Sequence, residues 1–274
     1  MNTDLLRVAG AYIQAGELDD ALATLHDYLD THTEDDDAVR LRAAVLLRLG
    51  SADNLYAALD DLVRLPTLGS DDYYQQSVIY ERLGELNGAA HALMQAHAIA
   101  PDDERLTERY LGILVALGRV DDARTLAESM PRTWRWLRWR GDLAAQAGDH
   151  TAAVEQHGEA LDGLNAALET METAFTSNIK AQILLARAHA LTALERYNEA
   201  DADYAAAETL TPDDLMIQFN RGLVAALRGD IATAIGLCGD ALQRANAAIE
   251  EHMRKALSED PRFAALAMLL LEGE

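Results

Sequence analysis

Glycine recurs at Gly16, Gly50, Gly84 and Gly118, each 34 residues after the one before and each ahead of an acidic or polar turn. A period of that length confines the chain to a repeat array, because one short unit is copied and each copy buries its face on the next. Five residues after these glycines stand Ala21, Ala89 and Ala123, while the second copy offers Leu55 or, with a longer turn, Ala58. Seven residues before them stand Ala9, Ala43, Ser77 and Leu111. The same frame continues through turns at Gly148, Glu195 and Gly229, with Ala153, Ala200 and Ala234 after them and Gly141, Ala188 and Gly222 before. Seven units share one layout.

The small residues have a steric cause. Two antiparallel helices joined by a tight turn approach closely only where neither side chain holds them apart, and the turn itself favours glycine. Apolar residues recur at helical spacing between these columns, as Leu5, Val8, Tyr12, Leu18, Leu22 and Leu25 in the first unit. The chain is rich in alanine and leucine, with few aromatic residues and five prolines, a composition of packed helices rather than sheets. Each unit therefore reads as a helical hairpin.

The third unit carries Tyr73, Tyr80, Gly84, Ala89, Leu93, Ala96 and Pro101, and the sixth carries Leu184, Ala188, Leu191, Tyr197, Ala200, Tyr204, Ala207 and Pro212. In these residues the chain resembles the tetratricopeptide-repeat (TPR) family, although the leading Trp of that pattern is missing from most units. The resemblance implies an all-α fold: a right-handed superhelix (α-solenoid) of about seven helical hairpins plus a C-terminal capping helix. It sets units 1 to 4 in residues 1–130, units 5 to 7 in residues 131–258 and the cap in residues 259–274, as one continuous solenoid. The fourth unit is about four residues short, ending at Met130 and Pro131. Two second helices are expected to overrun the standard length, from about Thr151 to Thr176 and from about Ile231 to Ser258. The apolar segment after Asp260 and Pro261 is expected to cover the open end of the array, or to form a homodimer contact.

Acidic residues outnumber Lys plus Arg by 46 to 23, and the net charge of -23 opposes attraction to nucleic acid and to anionic membranes. The longest apolar stretch, Phe263 to Leu271, is about half the ~20 residues a spanning helix needs, so no membrane segment is expected. The start of the chain lacks the basic and apolar run of a signal peptide, which makes the cytoplasm the expected location. A single cysteine, Cys238, forms no internal disulfide.

Acidic clusters at Asp35 to Asp37, Asp71-Asp72, Asp102-Asp103, Asp121-Asp122 and Asp213-Asp214 suggest metal ligands, yet all fall where helices are expected to start. There a carboxylate accepts from open N–H groups and meets the positive end of the helix dipole. His26 and His32, His91 and His97, and His150 and His157 are six or seven residues apart, off the spacing of four that joins two imidazoles on one metal, and read as surface histidines. Cys238 occupies the column of Leu93 and Tyr204, which marks it as buried and apolar. The chain shows no phosphate loop, nucleophile elbow or zinc helix, so the expectation is a protein without catalytic residues, cofactor or metal.

One segment departs from its surroundings: Arg132 to Arg140 holds all three tryptophans (Trp134, Trp136, Trp139) and four arginines. On a helix, Arg135, Arg138 and Asp142 share a face while Leu137, Gly141 and Ala144 point at the partner helix. The TPR resemblance implies that first helices line a concave peptide groove, and projecting the frame adds Arg40, Arg48, Tyr74, Arg82 and Arg105 to Arg135 and Arg138 as peptide-binding candidates. Arg forks and aromatic anchors suit an acidic or carboxylate-bearing peptide. Against this stands a packing role, in which the arginines pair with neighbouring acids and the tryptophans fill the joint beside the short unit. Stacking of single-stranded nucleic acid on the same residues is a weaker alternative, opposed by the charge of the whole molecule. The carboxylate clamp of some chaperone-binding relatives is absent, since Leu6, Gly10, Ala44, Tyr74 and Val78 fill its positions. The sequence thus points to a non-catalytic protein- or peptide-binding scaffold, with a self-associating structural protein as the alternative.

Overall fold

The computed structural model describes residues 3–168 and 174–271. Its elements are α1 (Thr3–Ala15), α2 (Leu18–Leu29), α3 (Asp36–Leu49), α4 (Ala52–Arg64), α5 (Ser70–Arg82), α6 (Leu86–Ile99), α7 (Glu104–Ala116), α8 (Val120–Ser129), α9 (Trp134–Gln146), α10 (His150–Leu168), α11 (Ala174–Ala193), α12 (Tyr197–Leu210), α13 (Leu215–Leu227), α14 (Ile231–Arg244), α15 (Ala247–Glu259), a 3-10 turn at Pro261–Phe263 and α16 (Ala264–Leu271). Among the described residues there is no strand. The helices pack as consecutive antiparallel pairs, which is the all-α, solenoid-type architecture. They form two compact units, Met1–Ala123 and Arg124–Glu274.

The seven expected turn positions all adopt the left-handed backbone: Gly16, Gly50, Gly84, Gly118, Gly148 and Gly229 have φ between 71° and 84°, and Glu195 has φ 58°. In six of the turns the residue after the left-handed position bonds back to the carbonyl five positions earlier, as from Glu85 N–H to Tyr80 O (2.8 Å) and from Arg196 N–H to Leu191 O (2.9 Å). The second turn differs: Gly50 N–H bonds Leu46 O at 3.0 Å, and Ser51 caps α4 through Asn54 N–H. That altered entry moves the small contact residue of α4 by three positions, and both Leu55 and Ala58 are buried.

Acidic caps start the helices as expected. Asp35 accepts from Ala38 N–H at 3.0 Å, Asp103 from Leu106 N–H at 3.4 Å and Asp214 from Met216 N–H at 3.0 Å. Asp71, Asp72, Asp121 and Asp122 lie in first turns.

Side chains at the hairpin joints interlock by size. In the first hairpin Ala9 and Ala21 pack with Leu25, and in the sixth Ala188 and Ala200 pack with Tyr204. Where the first helix carries glycine, the partner moves in further: a methyl group at Gly141 would lie 2.6 Å from the His157 ring, and one at Gly222 would lie 2.5 Å from Cys238 Sγ. Cys238 is fully buried, as its column implied.

One expectation needs correction. The stretch Ile231 to Ser258 is not one helix: it breaks after Arg244, and Asn246 caps α15 by accepting from Ile249 N–H at 3.1 Å. A side-chain oxygen that satisfies the new helix start offsets the loss of helical continuity, and no proline is needed. The helix α10 does exceed its counterparts, with 19 residues, but residues 169–173 of the expected overrun lie outside the described part. The C-terminal segment is itself a pair, α15 with α16, whose Met253, Leu257, Phe263 and Leu266 bury against Phe219 and Ala241 of the seventh hairpin.

Replacing Ala200, fully buried between α11 and α12, with Leu should overpack the joint and cost about 1–3 kcal/mol in urea unfolding. Glu195→Gly should act in the opposite direction, raising stability by about 1 kcal/mol, because a side chain in the left-handed region is strained. Unchanged stability in both variants would contradict this packing.

Candidate functional site

In the N-terminal unit the first helices α1, α3, α5 and α7 carry Gly10, Ala44, Val78 and Gly112 at one frame position, six residues before each turn. All four are half-buried, and a methyl group built on Gly10 or Gly112 meets nothing within 4 Å. Small residues at that height leave open space along the helix faces.

Beside this floor, Tyr74 of α5 and Arg105 of α7 come together. The Arg105 guanidinium lies 5.2 Å from the centre of the Tyr74 ring, and Arg109 lies 5.5 Å from it. Arg109 is held by both carboxylate oxygens of Glu81 at 2.9 Å. Arg105 is tethered more loosely, to Asp103 at 3.2 Å and Asp71 at 3.8 Å, and its side chain is 62% exposed. The pair thus offers a fixed aromatic face with an accessible fork above it.

The other three candidates of this unit are bound to neighbouring hairpins. Arg40 donates to Asp72 at 2.9 and 3.2 Å and to Thr67 O at 3.1 Å. The buried Asp72 carboxylate holds that guanidinium above its ordinary pKa and also accepts from Gly69 N–H, closing the start of α5. Arg82 donates to Leu47 O at 2.7 Å, and Arg48, one repeat earlier, donates to Ile13 O at 3.5 Å. Each donates to a carbonyl in the last turn of the preceding first helix, where the helix dipole favours a positive charge.

In the C-terminal unit the Trp and Arg cluster divides by position. Trp136 and Leu137 are buried, and Trp134 packs its Cβ beside Gly163 of α10. Arg140 donates to the carbonyls of Ala127 (3.0 Å), Glu128 (3.2 Å) and Met130 (2.6 Å), so it caps the ten-residue helix α8, and Arg132 pairs with Glu159. These residues complete the joint beside the short hairpin. Arg135 lies over the Trp134 ring at 5.3 Å, and Arg138 is 3.8 Å from Asp142 one turn on. Both remain partly accessible on α9.

Several polar residues were not singled out from the sequence. Arg42 forks onto Asp61 at 2.8 and 2.6 Å, and Arg187 onto Asp203 at 2.7 and 2.7 Å, each within one hairpin. The signal was present: each Arg precedes the small residue of its first helix (Ala43, Ala188), and each Asp lies three past the small residue of its second (Ala58, Ala200). Arg221 bridges Asp201 and Glu208 at 2.8 and 2.9 Å. The histidines also depart from a uniform surface role, since His157 is fully buried against Gly141 and His97 contacts the buried Thr107 at 2.9 Å. A ring that fills a glycine gap is hidden whatever its polarity.

Among the described residues no group of His, Cys, Asp and Glu is placed to hold a metal ion, and no helix is long and apolar enough to cross a membrane. Stacked hairpins with left-handed turns and small joint residues define an all-helical repeat protein. Residues 113–168 and 185–249 match the tetratricopeptide-repeat family model, so this part of the chain is built of tetratricopeptide repeats. The fold is similar to that of the C-terminal part of a TPR repeat-containing protein from Cytophaga hutchinsonii, with TM-score 0.64 and 12% identity over 98% of this chain and 96% of that one. It is also similar to MamA, with TM-score 0.52 and 14% identity over 70% of this chain and 96% of that one. No curated protein matches the chain in sequence.

Arg42→Leu should strand the Asp61 carboxylate, whose side chain is only 5% exposed, and lower stability by about 1–3 kcal/mol in urea unfolding. Adding Asp61→Leu should recover most of that loss, since removing both partners leaves no orphan charge.

Proposed function

We propose that the protein is a non-catalytic scaffold that binds a protein or peptide partner along its first-helix face, and that acidic or carboxylate groups of the partner dock on arginine. The observation that carries this reading is the floor of Gly10, Ala44, Val78 and Gly112, with open space above Gly10 and Gly112, beside the Tyr74 and Arg105 pair. A floor of small side chains admits a polypeptide close to the helices, and a guanidinium stacked on a ring is preorganised to take a carboxylate. Arg135 and Arg138 give α9 the same character, whereas Arg40, Arg48 and Arg82 contribute to the face mainly by holding hairpins together.

Self-association is the second reading. Every residue of α16 is apolar, and Met268 and Leu269 are 61% and 55% exposed. An exposed apolar helix of this kind marks a contact surface.

A panel of fluorescent peptides, acidic against basic and with free against amidated C-termini, tests the first reading by anisotropy. Arg105→Glu should weaken the acidic binders at least tenfold. Gly112→Leu should block them by filling the floor, with helical circular dichroism unchanged. Acidic peptides that bind wild type and both variants alike would sink this assignment. For the second reading, light scattering should show a dimer that dissociates in Met268→Glu with Leu269→Glu, and a wild-type monomer would refute it.

A further inference from the structure

The joint between α9 and α10 is built unlike the others described. At the frame position nine residues past the turn, other hairpins place Leu25, Leu93, Tyr204 or Cys238, and the fifth places His157. Its ring fills the gap above Gly141, is fully buried, and has no hydrogen-bond partner on either Nδ1 or Nε2. The charged groups around it come from both helices packed against α10: Arg138 and Asp142 from α9, and Arg187 from α11, itself held by Asp203 of α12. Asp142 Oδ1, 3.4 Å from Nε2, is the anion nearest the ring.

We infer that this hairpin contains an acid-released joint: a proton on His157 places an imidazolium in an apolar slot between two guanidiniums, and the ring leaves Gly141, loosening α9 from α10. The order of titration reinforces the effect. Burial raises Asp142 to about 6 and lowers His157 to about 4, with Arg138 and Arg187 adding to the latter. On acidification the Asp142 carboxylate therefore loses its charge ahead of the ring, and its support for an imidazolium falls. A histidine held below its ordinary 6.5 contributes stability that is intact above 6.5 and is lost as the pH falls towards 4. Below both values, a difference between 6.5 and about 4 corresponds to a roughly 300-fold shift towards the open joint. Leucine, tyrosine and a thiol raised to about 12 take up no proton themselves in this range, so among these hairpins only the fifth has a titrating group at this frame position.

All three tryptophans of the chain lie on α9, so tryptophan emission, excited selectively over the nine tyrosines, reports on this helix. Between pH 7 and 4 the wild-type emission should shift while far-ultraviolet circular dichroism keeps its helical signal. His157→Leu, which places in the slot the residue that Leu93 supplies in the third hairpin, should remove the shift. The same acid transition in His157→Leu would overturn the inference. A second measurement needs no variant: in the NMR titration of the wild-type protein the His157 ring should take up its proton below pH 5, and titration near 6.5 would equally overturn it.

Discussion

Close approach of two helices at a small side chain is the contact on which the rest of this structure rests. Where the first helix carries alanine, as at Ala9 and Ala188, the second helix fills the remaining space with Leu25 or Tyr204. Where it carries glycine, at Gly141 and Gly222, the opposing His157 and Cys238 press in to distances a methyl group would not permit. The two columns act together, since interiors pack to a nearly constant density and volume removed on one side must be supplied from the other. That pairing holds each hairpin as a unit, and the left-handed turn sets its register.

Stacking of hairpins uses a second kind of contact. The surfaces between repeats are apolar, but their edges are closed by arginines reaching across about one repeat: Arg40 to Asp72, Arg82 to Leu47 O, Arg109 to Glu81. The planar, multi-donor guanidinium suits this better than an ammonium group, because it can meet a carboxylate with two parallel bonds. The same economy explains why a chain of net charge -23 carries arginines on its first-helix faces without a uniformly basic groove. Much of its positive charge is paired with carboxylates of the same chain, as Arg138 is with Asp142, while Arg105 beside Tyr74 is tethered more loosely.

The region around residues 120–140 shows how an irregular repeat is accommodated. The ten-residue helix α8 ends early, and carbonyls at its end are taken up by Arg140, while Trp136 on the same helix as Arg140 is fully buried. A segment that stands out in composition is thus explained in large part by packing. Its outward residues, Arg135 beside Trp134 and Arg138 beside Asp142, stay partly accessible on α9.

The amino-acid sequence by itself determined the hairpins, the seven turn positions and the small joint columns, because left-handed φ and Cβ clearance are requirements of single positions that recur at a fixed period. It also marked the acidic helix caps, which are local for the same reason. Only the tertiary structure decided which polar side chains were already engaged. An arginine reaches several ångströms, so whether Arg40 or Arg105 meets an internal carboxylate depends on how the next hairpin stacks, and the spacing of letters does not contain that distance. His157 is the same case: it reads as an ordinary polar residue until Gly141 opposite leaves a slot of its size. The break at Ala245 and Asn246 was hidden likewise, since a capping asparagine ends a helix only when packing of α15 and α16 on the seventh hairpin makes the turn worthwhile.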